Sequence, residues 1–504
     1  MSLARLDTRL DTRLETRLDT SGTESASAAT SELSLRRYLE ELERDSPADV
    51  IHVRSAVNPG AFEATAVLQR LEECNRYPLV VFDKPQAQNG KPSAFPLVSN
   101  VFATRERCAR ALGLRADQAY QALGMEYARR EERRIAPVVI EAAAAPVKDV
   151  VRRGDQVDLR EFPIVRHHRM DGGPYVDMTP VMRDPESGAY NIAFLRNQYK
   201  GPRKLGIHMS PRHNWQIARK HEEAGRPTPV AIVVGHHPAF YIGALNVSAF
   251  GEDDYHVVGS IAGQALRLTP SETWGADFLV PADAELIIEG EIAPGEREAE
   301  GPFGEFPGTY GPQRVRWVIN VTAVTHRRNA IYQDVFVGHR DNWVLGSFPK
   351  EGSIFNRIKG VVPTLKAVHL PTSGVGRFHC YISIDKKVDG ESKQAALIAL
   401  GACDFVKHVI VVDSDVDVFR EEEVLWAIAT RVQADQDVDI IRNVKGATLD
   451  PSQTDDILTA KMIIDATRPV RRPFEARIDV PREVVERTDL EQLIGREQMA
   501  RLGL

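Results

Sequence analysis

Cysteine is scarce in this chain: four in 504 residues, Cys74, Cys108, Cys380 and Cys403, with no Cys-x-x-Cys pair. That excludes a disulfide framework and a zinc knuckle, fits a reducing cytoplasm, and makes each thiol read as a small buried apolar residue. No apolar run approaches the roughly 20 residues needed to span a bilayer. Positive charge is not in excess either. The formal net charge is −7, so no global field draws nucleic acid or an anionic membrane. A lysine–glycine phosphate loop is lacking, and so is a Gly-x-Gly-x-x-Gly following a strand.

What is present is an ordinary globular composition, 43% hydrophobic and 27% charged, in a length suited to roughly three domains of about 150 residues. The N-terminus repeats every four residues, from Arg5-Leu-Asp-Thr8 to Arg17-Leu-Asp-Thr20, and a Ser/Ala/Thr stretch follows from Ser21 to Ser31. Its matched acids argue against a transit peptide, it has no apolar core for a secretory signal, and a period of four supplies no heptad. Residues 1–32 are expected to form a disordered tail.

From 33 to 146 the pattern alternates, with helical spacing over Leu33–Leu42 and Phe62–Cys74 and a strand over Pro78–Asp83, which predicts a small α/β domain. A linker over Ala142–Pro146 leads into a strand-rich region, 147–329. Val230–Val234, Ala284–Ile292 and Val315–Val324 read as strands there, and a barrel or closed sheet is expected. Ser210-Pro211 looks like an N-cap and first helical position, opening a helix from Arg212 to Glu223. The last region, 330–504, returns to α/β, with a strand at His408–Asp413 and a helix over Glu421–Val432. Asp413-Ser-Asp-Val-Asp417 is not a calcium loop, because Val418 and Val424 stand where glycine and glutamate are required; it reads as an acidic turn.

Glu300-Gly-Pro-Phe-Gly-Glu305 places two carboxylates around a Gly/Pro turn. Crowding two carboxylates raises the pKa of at least one, so a proton donor can persist near neutrality. Decarboxylation of an aromatic or vinylic acid needs such a donor, together with an electron sink. By itself a glutamate pair on a turn is most often merely solvated.

Further segments lead up to this pair: Val157-Asp-Leu-Arg-Glu-Phe-Pro163, Asp171-Gly-Gly173, Asp184-Pro-Glu-Ser-Gly188, Asn191-Ile-Ala-Phe-Leu-Arg196, Ser210-Pro-Arg-His213 and Glu252-Asp-Asp-Tyr255. With Trp426–Arg431 and Leu449-Asp-Pro451 beyond it, the set resembles the UbiD family of reversible decarboxylases over about residues 35–470.

The resemblance implies a fold of three parts: an N-terminal α/β domain, a central split β-barrel that binds prenylated FMN, and a C-terminal α/β domain that assembles homodimers or homohexamers. It implies Arg196, Glu300 and Glu305 as the catalytic network, with Glu305 the general acid. It implies Asn191, His213 and one acid of Glu252-Asp-Asp254 as ligands of Mn2+ or Mg2+ bridging to the flavin phosphate, with K+ a further candidate cation. Counting back five residues from Gly259 favours Asp254 over Glu252. Ala193, Phe194 and Arg212 match cofactor contacts, and Ile384-Asp-Lys-Lys387 offers Asp385 or Lys386 against the flavin phosphate.

The helix end at His213 also carries free N–H groups and partial positive charge, so it suits a phosphate. The activity implied is non-oxidative decarboxylation of an aromatic or α,β-unsaturated acid, with a flavin prenyltransferase supplying the cofactor. A split-barrel FMN oxidoreductase is the alternative, but it leaves the paired glutamates without a task. Arg212, Arg442 and Lys445 would favour a dicarboxylate or a thioester with a phosphate-bearing tail if they face the pocket. His236-His237 read as loop histidines near its mouth, and His339 and Trp343–Leu345 as part of its wall.

Overall fold

Ser34 opens the first helix. Its side chain accepts from the Arg37 N–H and caps Leu35–Asp45, which buries Leu35, Tyr38, Leu39 and Leu42, an i, i+3, i+4, i+7 stripe. This stripe packs with the helix Glu63–Glu73 and a small sheet in which Val50–Val57 runs parallel to Leu79–Pro85, and Leu97–Ser99 antiparallel to the latter. The fourth strand of that sheet, Tyr332–Gln333, comes from far along the chain. The computed structural model describes residues 32–454 and 458–503, so the N-terminal repeat and all but the last residue of the tail expected over 1–32 lie outside the described residues. Glu32 is described, and its carboxylate pairs with Arg327 at 2.8 Å.

The central sheet has ten strands. Thr228–Val234 lies between Thr179–Arg183 and Leu286–Ile292, antiparallel to both, and Val230 to Val234 are fully buried. The strand Arg314–His326 has four partners: Lys204–Ile207 and Arg297–Glu300 along its first half, Leu286–Ile292 and Val150–Arg153 along its second. Thirteen residues extend for about 40 Å, long enough for the two halves to keep different neighbours. The outermost strands, Tyr175–Val176 and Tyr190–Ile192, do not pair with each other among the described residues. The sheet is open and forked where the sequence predicted closure.

Five strands form the third sheet, with His379–Ile384, His408–Asp413 and Leu458–Ala466 parallel at its centre. Side chains alternate between its faces. Ile382, Val409 and Val411 join Ala395 and Ala399 of the helix Glu391–Ala402, whereas Tyr381, Ile410 and Val412 join Val424 and Ala427 of the helix Glu421–Arg431. The acidic turn after His408–Asp413 is accounted for by Arg431, which pairs with Asp413 and Asp415 at 2.8 Å each. Among the described residues no helix is long and apolar enough to cross a membrane. Cys108, Cys380 and Cys403 are buried as expected; Cys74 is exposed just beyond its helix and corrects that expectation.

The helix Arg340–Lys359 ties the regions together and is buried without interruption from Val344 to Phe355. A helix covered on every side has no amphipathic stripe, so periodicity did not announce it. Its Glu351 pairs with Arg105 at 2.9 Å and with His369 at 2.8 Å. Burial alone would raise the Glu351 pKa, but Arg105 and His369 outweigh it and hold the carboxyl down at about 2. The depressed value makes this clamp stabilising above the ordinary carboxylate range and progressively lost as pH falls toward 2. Denaturant titration from pH 5 to pH 2.5 should show stability falling more steeply for the wild type than for Glu351→Gln. The difference should be at most about 1.4 kcal/mol per pH unit. Equal slopes would refute the clamp.

Candidate active site

One cavity of about 620 Å³ is lined by strands and loops of the central sheet, the helix Arg340–Lys359 and the loops of the third sheet. Asn191, Ala193, Phe194, Arg196, Arg212, His213, Asp254 and Glu305 all line it. Glu300 does not, and neither does Lys386.

Arg196 stands just before the strand Asn197–Gly201 and reaches both glutamates. Its Nη2 donates to Glu300 Oε2 at 2.7 Å, and its Nη1 pairs with Glu305 Oε1. Glu300 ends the strand Arg297–Glu300, opposite Arg314, and is fully buried behind the guanidinium. Glu305 follows the short strand Phe303–Gly304, which pairs with Tyr310–Gly311, and its N–H donates to Thr309 O at 2.9 Å. Gly311 is the close approach that lets this happen, because a Cβ there would stand 3.0 Å from Arg196 Nη1 and 3.2 Å from Glu305 Cγ. Phe303 lies under the guanidinium carbon at 5.3 Å. Of the three, only Arg196 and Glu305 face the cavity, so a reacting group can touch them but not Glu300.

The electrostatics separate these groups. Burial raises the Glu305 pKa and Glu300 raises it further, against the opposing pull of Arg196. His208 lies 3.9 Å from Glu300, but burial and then the cations Arg196 and Arg316 push it down to about 3, and its Nδ1 accepts from Arg316 Nε at 3.1 Å. It is a neutral spacer. Protonating Glu305 leaves a balanced Arg196–Glu300 pair. Ionising it leaves a net negative charge in a buried site, which is the costlier state.

At another part of the cavity, Asn191 sits on the edge strand Tyr190–Ile192, and its Oδ1 lies 3.1 Å from His213 Nδ1. Asp254 accepts from the Ile192 N–H at 2.7 Å and from Asn246 and Ser248 at 3.1 Å each, with lone-pair capacity left over. Glu252 is paired with Arg134 at 2.7 Å and does not line the cavity. His213 and Asp254 each begin a helix, His213–Glu223 and Asp254–Ala262, so two helix N-termini open on one space. The helix predicted from Arg212 starts one residue later. Arg212 is its extended cap residue, Ser210 makes no side-chain cap, and the Arg212 N–H donates to Ser210 O at 2.7 Å. Among the described residues no three His, Cys, Asp or Glu side chains gather as a metal cluster. The candidate set here includes an amide, and its oxygen, imidazole and carboxylate donors suit Mn2+ or Mg2+.

Lys386 is a correction. It follows the strand His379–Ile384, is almost fully buried, and donates to Thr467 Oγ1 at 2.7 Å. His236 packs on Phe240 and His237 caps the helix Pro238–Gly243, so neither reaches the cavity. His339 pairs with Glu72 at 2.9 Å, and Trp343 Nε1 donates to Phe306 O at 2.7 Å; both support the wall from behind. Lys445 lines the mouth and Arg442 does not. Sequence reasoning missed Asp177, Asn342, Lys350, Arg377, Asp404 and Phe405, which also line the cavity. The one available signal was a charge set within an apolar stretch, as at Lys350 in Gly-Ser-Phe-Pro-Lys-Glu-Gly and Arg377 in Val-Gly-Arg-Phe.

Comparison with known families matches residues 39–126, 138–340 and 343–466 to the N-terminal, Rift-related and C-terminal domains of UbiD, 3-octaprenyl-4-hydroxybenzoate carboxy-lyase. The chain is 34% identical over 391 residues to the anhydromevalonate phosphate decarboxylase of Methanothermobacter thermautotrophicus, covering 76% of this chain and 88% of that one. It is 31% identical over 450 residues to the phenolic acid decarboxylase of Sedimentibacter hydroxybenzoicus, covering 86% and 92%. Among solved structures, the UbiD-class enzyme HmfF from Pelotomaculum thermopropionicum in complex with FMN superposes with a TM-score of 0.83 at 37% identity, covering 92% of this chain and all of that one. An evolved dimeric form of the same enzyme in complex with prFMN gives 0.81 at 35% identity, again covering 92% of this chain and all of that one.

Proposed function

Because the chain belongs to the UbiD family of carboxy-lyases, we propose that it decarboxylates an aromatic or α,β-unsaturated carboxylic acid with prenylated FMN, Glu305 supplying the proton. The observation that carries this reading is Arg196 spanning Glu300 and Glu305 at the wall of the cavity that also reaches Asn191, His213 and Asp254.

Asn191, His213 and Asp254 would hold a divalent cation, Mn2+ or Mg2+, and the two helix N-termini beside them would receive the flavin phosphate. When bound, the modified flavin supplies the electron sink that an acid losing carbon dioxide requires. The chain does the rest. Phe194, Phe303 and Phe306 give the cavity apolar walls that exclude water from the reacting carbon. Arg196 receives the substrate carboxylate and fixes the orientation of Glu305 through Nη1. Glu305, whose pKa burial raises, gives its proton to the carbon that the carboxylate has left; in the reverse direction it takes that proton back. Arg196 and Glu300 remain as a balanced pair throughout.

Co-expression with a flavin prenyltransferase tests the whole reading. Mass spectrometry of the bound flavin should find the prenylated form, and a screen of aromatic and unsaturated acids should find carbon dioxide release. Unmodified FMN with no turnover would overturn it. In the same preparation, Asp254→Asn should lower metal affinity by at least the roughly 10- to 100-fold that loss of a ligand's supporting partner costs, and flavin content with it, read by elemental analysis and flavin absorbance. Undiminished metal in that variant would remove Asp254 from the set.

A further inference from the structure

Lys350 and Arg377 are cations buried where no acid meets them. Each is 8% exposed, both line the cavity, and neither has an ion-pair partner among the described residues. Among the described residues the one hydrogen bond of the Arg377 guanidinium is a long one to Val375 O at 3.4 Å. Of the acids that line this part of the cavity, Glu305 is held by Arg196, and Asp404 by Arg212, which grips it with two bonds of 2.9 Å. The flanking surfaces are aromatic: Phe306 lies 4.4 Å from the Arg377 guanidinium carbon and Phe405 6.0 Å from Lys350 Nζ. Gly346 makes room for the arrangement, since a Cβ there would overlap the Arg377 guanidinium. An isolated buried cation costs several kcal/mol unless something completes its charge.

We propose that Lys350 and Arg377 form a subsite for a second anionic group on the substrate, so that the acid this enzyme takes is an aromatic dicarboxylate. The site lies at the Glu305 side of the cavity. Phe306, the residue after Glu305, lies 4.4 Å from the Arg377 guanidinium carbon, and the charge of Glu305 bears on Arg377. A substrate whose reacting carboxylate meets Arg196 therefore presents the far edge of its ring to the two cations. Burial and the charge of Arg377 depress Lys350 to about 7, so an arriving carboxylate both pairs with it and restores its proton.

This assignment rests on the decarboxylase reading only for which carboxylate reacts, and binding tests it separately from turnover. Calorimetry on the flavin-loaded protein, with isophthalate and benzoate as probes, should give wild type a preference of tenfold or more for isophthalate. Lys350→Met should collapse that ratio toward one, and Lys350→Arg should keep most of it. Isophthalate should raise the Tm of the wild type more than that of Lys350→Met. If Lys350→Met does not fold, the same ratio in Arg377→Met decides. An undiminished ratio in the variant tested overturns the subsite. Loss of flavin from it overturns the assignment too, because the cations then hold the cofactor's phosphate. A selective isophthalate complex in a protein that releases carbon dioxide from none of the screened acids would sink the decarboxylase reading and leave the subsite standing.

Discussion

Glu305→Gln is expected to bind the flavin normally and to lose turnover by about 10²- to 10⁴-fold, the usual contribution of a positioned general acid. The amide keeps the shape of the carboxyl and can still meet Arg196, but it has no proton to give. Carbon dioxide release should fall, and exchange of the product proton with deuterated solvent should fall in parallel, because both directions use the same acid. Flavin absorbance and bound-cofactor mass should not change. The pH profile adds a second readout. Burial raises the Glu305 pKa, so its neutral form persists above the ordinary carboxylate range and is lost as pH rises through the raised value. Wild-type activity should therefore decline on the basic side of that value, and the residual activity of the variant should lack this limb. Full turnover by Glu305→Gln would transfer the proton to another group.

The glutamate pair was legible as a pair because both acids lie in one local segment. Two acids around Gly-Pro-Phe-Gly stay close in any fold that keeps the turn, whereas Asn191, in mid-strand, and His213 and Asp254, at two helix starts, were singled out by the resemblance. The partition of roles, with the proton given to Glu305, came from the resemblance and not from the local pattern. Glu300 and Glu305 look equivalent in sequence, but strand pairing buries one behind Arg196 while the hairpin turns the other into the cavity. The same limit explains Lys350 and Arg377. They come from a helix buried on all sides and from a loop between strands, and long-range packing alone brings them together. Lys386 came from the resemblance, and the structure ties its ammonium group to Thr467 and to Asp389, three residues along. The open, forked sheet was hidden as well, since strand propensity gives no information on which neighbours a long strand will share.

Replacing Arg196 by methionine should damage both stability and catalysis, and a second substitution should repair only the first. In the wild type its one positive charge serves two carboxylates, Glu300 fully buried and Glu305 at the cavity wall. Removing it leaves Glu300, fully buried, beside Glu305 with no cation between them, a break that typically costs about 3–5 kcal/mol. Thermal unfolding should report this as a lowered Tm, and turnover should vanish because nothing orients Glu305 or receives the substrate carboxylate. Adding Glu300→Gln removes the stranded charge, so the double variant should recover much of the lost stability. Its turnover should stay at the level of Arg196→Met. Recovery of both properties would mean that the arginine serves only to neutralise Glu300, and recovery of neither would mean that its packing on Phe303 matters more than its charge. Stability restored without activity is the signature of a guanidinium that holds the fold through one glutamate and positions the proton through the other.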